Sequence, residues 1–171
     1  MKLQTSTWAI ALLALVTLGS GGSGKRISLD ARLSGFLETP ASISSQGRGS
    51  FEIDVNSAAT EAEYELEYED LEGSQVLFAH IHLGQPATTG GVMVFLCSNV
   101  GAPVPTPACP GPEGGEVSGT LTADDVLGPS DQGVSAGEFE EFVRALRRGG
   151  AYVNVHTDLH PSGEIRGNIE D

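Results

Sequence analysis

Polar and apolar residues alternate with a period of two along much of this chain. The clearest case is 62–71, AEYELEYEDL. Tyr64, Leu66 and Tyr68 fall on one side there, and Glu63, Glu65, Glu67 and Glu69 on the other. Successive side chains of an extended strand point to opposite faces, so this pattern predicts a half-buried strand. Residues 29–37 (LDARLSGFL) and 49–55 (GSFEIDV) alternate in the same way, and further strands are expected at 76–82, 92–97, 116–121, 151–157 and 164–169. Gly and Pro punctuate the gaps, as in GQPATTGG, APVPTPACPGPEGG and HPSG. About eight short strands between turn signals predict an all-β fold, an antiparallel Greek-key-like β-sandwich or barrel.

One segment departs from this period. In 135–149, SAGEFEEFVRALRRG, Phe139, Phe142, Val143 and Leu146 recur at helical spacing and make a single apolar stripe. Ser135 and Glu138 have the spacing of a capping box. Glutamates lie near the start and Arg144, Arg147 and Arg148 near the end, which complements the helix dipole. The segment predicts one short α-helix laid across the sheet, closed by Gly149 or Gly150.

The N-terminus changes the picture of where the chain works. Lys2 precedes an apolar run at 8–18, WAIALLALVTL, and small residues follow in GSGGSG. This is the layout of a secretory signal peptide, expected over 1–24 with the cut between Gly19 and Gly24. The remaining 25–171 would form one domain, secreted or periplasmic, with no transmembrane segment in the mature chain. The formal net charge is −14 and Lys25 is the one lysine beyond the leader. A nucleic-acid surface needs a basic stripe, so that class of partner is excluded. Cys97 and Cys109 flank a loop rich in Pro and Gly and read as a disulfide in an oxidising compartment.

Candidate chemistry is concentrated in four histidines. His80 and His82 share a strand face in AHIHLG, and His156 and His160 lie in YVNVHTDLHPSGEIRG. Strand parity places Asn154 with His156 on one face and Glu164 with Arg166 on another. Together with His80 and His82 these residues predict one polar cluster. Two readings follow. His80, His82 and His156, with His160 or a carboxylate, would bind Zn²⁺ or Cu²⁺, since imidazole suits both ions. Alternatively the rings and Arg166 form a hydrogen-bond network that braces the sheet, and a guanidinium argues against a nearby cation. Converging ring nitrogens would favour the ion; rings tied to main-chain carbonyls would favour the brace. The glutamates at 61–69 in steps of two read as a solvated face, because a flat strand cannot wrap the six or more oxygens that Ca²⁺ prefers. Catalysis draws little support: there is no Gly-x-Ser-x-Gly motif, and a bonded cysteine is no nucleophile.

AHIHLG, GGVMVFL, GGEVSGTLT and GGAYVNVHTDLHPSGEIRGNI, preceded by LSGFLETPASISSQGRGSFEI, resemble the chordin-repeat (CHRD) domain over 27–169. The most specific part is the closing stretch with Tyr152, Asn154, His156, Pro161, Gly163, Glu164, Arg166 and Gly167. The cysteine pair is similar to a form common in bacterial members. The resemblance implies a secreted, mostly β domain without a settled activity. In animal chordin the domain accompanies cysteine-rich modules that bind growth factors; these are absent here, so no antagonist role carries over. AHIHLG is also similar to the His-x-His strand of copper/zinc superoxide dismutase, whose other ligand motifs are not evident. The expectation is a non-catalytic extracellular binding or structural module that needs no cofactor and meets an extracellular protein or glycan. The rival is a Zn- or Cu-binding protein with a redox-related role.

Overall fold

The structure, a computed structural model, describes residues 25–111 and 113–171. The signal peptide expected over 1–24 lies outside them. Eight strands form one antiparallel sheet: β1 (Ile27–Ser34), β2 (Arg48–Val55), β3 (Ala62–Glu69), β4 (Val76–Leu83), β5 (Val92–Ser98), β6 (Gly115–Leu121), β7 (Ala151–Thr157) and β8 (Ile165–Asn168). Their order across the sheet is β5-β4-β7-β8-β1-β2-β3-β6. The first three strands form a meander, β4 and β5 a hairpin at the far edge, and β6 returns to pair with β3. The two edge strands, β5 and β6, approach each other, so the sheet curls into a nearly closed barrel.

Alternation explains where the core sits. In β3, Ala62, Tyr64, Leu66 and Tyr68 are buried while the four intervening glutamates are exposed. Phe51 and Ile53 of β2, Ile81 of β4, Val155 of β7 and Ile165 of β8 are buried in the same core. The seam between β5 and β6 is bridged without a strand ladder. The Tyr64 hydroxyl donates to Leu96 O at 2.7 Å, Leu127 N donates to Met93 O at 2.8 Å, and Cys97 is bonded to Cys109.

The helix α1 (Phe139–Arg147) buries Phe139, Phe142, Val143 and Leu146, the stripe its spacing predicted. It begins three residues later than the capping-box reading placed it. Gly137 has φ +83°, a left-handed conformation that a right-handed helix cannot include. Half of the box survives in the turn before the helix, where Ser135 N donates to the Glu138 carboxylate at 2.6 Å. At the other end Gly149 N donates to Leu146 O and Gly150 N to Ala145 O, a Schellman stop with Gly149 at φ +61°.

The first strand also ends earlier than its alternation suggested. Gly35–Leu37 form a 3₁₀ turn, and Phe36 and Leu37 point to solvent at 67% and 45% exposure. At Gly35 a Cβ would lie 2.4 Å from Ile43 O, so only glycine lets the chain turn back this tightly. That turn folds the connection between β1 and β2 over the outside of the barrel, where the chemistry lies.

Candidate metal centre

Three neighbouring strands, β4, β7 and β8, carry polar residues on the face away from the barrel interior. Register aligns His80 with Asn154 and Asn154 with Arg166; it sets His82 beside Tyr152 and Phe78 beside His156. An outward face would ordinarily be wet, but every residue of β7 is buried, and His80, His82 and His156 retain 4%, 8% and 6% of their surface. Two connections supply the cover. Arg166 donates to the Thr39 hydroxyl in the β1–β2 loop, and to Thr88 O (2.8 Å) and Gln85 O (3.3 Å) in the β4–β5 loop. Its guanidinium also lies 3.4 Å over the Tyr152 ring. Carbonyl oxygens and an aromatic face thus take up a buried positive charge.

The imidazoles form a compact group in which a ring nitrogen from each lies within 4.8 Å of those of the other two. Two of the rings are oriented from outside. His82 Nδ1 is 2.8 Å from Gly90 O and His156 Nδ1 is 3.0 Å from Pro161 O. A carbonyl only accepts, so both Nδ1 atoms carry the proton and both Nε2 atoms present a lone pair. His156 Nε2 is buried and has no hydrogen-bond partner. His82 Nε2 lies 2.7 Å from His80 Nδ1, which also faces Asn154 Oδ1 at 3.2 Å. Gly90 is held for its part in this: its N–H donates to the Tyr152 hydroxyl, and a Cβ there would lie 1.7 Å from Leu83 O.

The electrostatics keep the rings uncharged. Burial and the facing His82 push His80 down to about 2, burial pushes His156 down to about 4, and burial likewise lowers His82. His80 and His156 pack against Phe78, His80 also meets Phe95, and His82 stacks on Tyr152, so three neutral imidazoles stand as Lewis bases in a buried setting. This is the protonation state that a metal ligand requires.

His160 stands outside the group. Its main chain closes the β7–β8 hairpin, with its N–H on the Thr157 hydroxyl and its carbonyl accepting from Gly163 N. Glu164 does not join the cluster either. It precedes the first residue of β8, beyond Gly163 at φ +127°, so strand parity does not reach it. Instead it accepts from Ser45 Oγ (2.6 Å), Glu72 N (2.7 Å) and Thr157 Oγ1 (2.7 Å), tying loops together at another corner. Burial alone would raise its pKa; those bonds outweigh it and hold the carboxyl below the usual range.

One site residue has no signature in the sequence. Glu38 is 7% exposed, and its Oε1 has no partner. Burial raises its carboxyl to about 7, against the opposing pull of Thr39 N–H, Arg166 and Asn154. Nothing in the stretch LETP distinguishes it from a surface glutamate; only the backward fold of the β1–β2 loop buries it.

A second convergent group, Glu65, Glu67 and Glu116, lies exposed on β3 and β6.

Comparison with known families matches the CHRD domain to residues 29–169 of this chain. No curated protein and no solved structure matches it.

Proposed function

The chain belongs to the CHRD domain family, and we propose that it is a non-catalytic extracellular binding domain whose ligand is a Zn²⁺ or Cu²⁺ ion held by His80, His82 and His156. One observation carries the proposal. Main-chain carbonyls take the Nδ1 protons of two imidazoles in a buried group whose ring nitrogens converge within 4.8 Å; His82 Nε2 meets His80 Nδ1 there, and His156 Nε2 meets no donor. A bracing network would pair that atom, because leaving it buried and unpaired costs about 1–3 kcal/mol. Metal-bound histidines, in contrast, typically donate their second N–H to a carbonyl or carboxylate. The extracellular setting is supported by the leader-like N-terminus and by the bonded cysteine pair.

The bracing reading keeps part of its force. Arg166 pins two loops, and His82 and His156 each hold a carbonyl, so the face also secures the covers of the barrel. The two roles separate in a melting experiment on untagged, metal-free protein. Equimolar Zn²⁺ should raise the melting temperature of the wild type and leave His82→Ala unchanged, since a ligand of the native state stabilises it by mass action. An equal response from both proteins would return the cluster to a purely bracing role.

A further inference from the structure

We propose that Glu38 is the anionic fourth member of this site, and that the site is therefore built for a divalent rather than a monovalent ion. This rests on the reading of His80, His82 and His156 as ligands. Glu38 is more than nine-tenths buried, and its buried Oε1 accepts nothing. It is placed there by design of the backbone around it. At Gly163 a Cβ would fall 2.5 Å from Oε1 and 2.7 Å from both Cδ and Oε2, so the turn between β7 and β8 is cut away where the carboxyl enters. The Asn154 side chain lies against Glu38 on one side and reaches His80 Nδ1 at 3.2 Å on the other. A single amide thus separates the carboxyl from the imidazoles.

Charge supplies the rest of the argument. A carboxyl taken out of water without a full set of donors is costly unless a positive charge repays it. Arg166 is the nearest fixed cation, but its hydrogen bonds go to Thr39, Thr88 and Gln85, and no ion pair joins it to Glu38. A divalent ion among three neutral nitrogens is an uncompensated charge, and the nearest unsatisfied anion is Glu38. Glu38 lies outside the group of ring nitrogens that converge within 4.8 Å, so its carboxylate would act from just beyond three imidazole ligands, through the Asn154 amide or a water, as a charged partner that tunes a metal site. Cu⁺, which favours neutral soft donors, would gain little from it.

The test compares Glu38→Gln with the wild type in three measurements on untagged protein. Zn²⁺ affinity should fall roughly 10- to 100-fold, as for loss of a group that tunes a metal site. Cu⁺ affinity, titrated anaerobically, should change much less. The visible spectrum of the Co²⁺-loaded protein should shift, and the ion-free melting temperature should hold or rise. If the wild type binds no divalent ion, the metal reading itself fails and this inference with it. If the wild type binds Zn²⁺ and Glu38→Gln binds it equally, with the same Co²⁺ spectrum, Glu38 alone is removed from the site. Equal losses of Zn²⁺ and Cu⁺ affinity with a lower ion-free melting temperature would make Glu38 the counter-ion of Arg166 and overturn the proposal. Should Glu38→Gln not fold, Glu38→Asp keeps the charge and withdraws it by one methylene; its Co²⁺ spectrum must also differ from that of the wild type.

Discussion

The barrel has two outer faces lined with rows of ionisable side chains, and they behave in opposite ways. On β2, β3 and β6, register sets Glu52 beside Glu65, Asp54 beside Glu63, and Glu67 beside Glu116. On β4, β7 and β8 it gathers His80, His82 and His156. The glutamates remain in water, where two charges about 7 Å apart repel by about 0.6 kcal/mol before salt screens them. The imidazoles have lost their water to two loops that Arg166 pins down. Repetition of a residue type is thus a poor guide to chemistry. The cover laid over the row decides whether its groups are solvated charges or neutral ligands.

Acid should separate the two faces most widely. In the metal-free protein the imidazoles stay neutral while folded, yet protonate near pH 6.5 when unfolded. The unfolded state then binds more protons, so their contribution is complete above pH 6.5 and is lost as pH falls toward the folded values. Glu38 acts in the other direction: its raised carboxyl favours the fold below about 4.5 and loses that contribution as pH rises through about 7. His80 and His156 against Glu38 leave a net loss on the order of 2 kcal/mol between about pH 6.5 and 4.5, and His82 adds to it in the same direction. Urea midpoints across this range measure it. A stability that rises with acid would mean that relief of carboxylate repulsion on the other face dominates.

Single substitutions sharpen the same contrast. His82→Ala removes a ring stacked at 3° on Tyr152 and frees Gly90 O, and should cost the metal-free protein about 2–3 kcal/mol. A loss below about 0.5 kcal/mol would show that the loops do not seal this face. On the acidic side, Glu65→Gln removes a charge facing Glu52 and flanked by Glu67, and should stabilise by a few tenths of a kcal/mol up to about 1. That gain should vanish in 1 M salt, where screening reaches about 3 Å. Destabilisation by Glu65→Gln would indicate that the carboxylates hold something in common.

The barrel was largely legible in the sequence because its alternation is undisturbed where one face meets water. Tyr64, Leu66 and Tyr68 announce β3 without ambiguity. The signal failed where the chain leaves regular structure: Gly35 ends β1 although Leu37 continues its pattern, and Gly137 delays α1 although Ser135 and Glu138 have the right spacing. The site was half legible. Parity joined His80, His82, Asn154, His156 and Arg166, but it also drew in Glu164, whose backbone is no longer a strand. Glu38 came from a loop, where no period exists to read. The proposed contrast between converging nitrogens and carbonyl-bound rings also failed to discriminate. An imidazole has two nitrogens, and His82 and His156 use one for each purpose.

The most direct test asks which face takes the ion. X-ray absorption at the zinc edge, on untagged protein loaded with one equivalent of Zn²⁺, reports the atoms bound to it. The account predicts three imidazole rings with nitrogens at roughly 2.0–2.1 Å, their outer-ring scattering visible, and their loss in His82→Ala. An all-oxygen shell without imidazole scattering would place the ion among Glu65, Glu67 and Glu116 instead and contradict it.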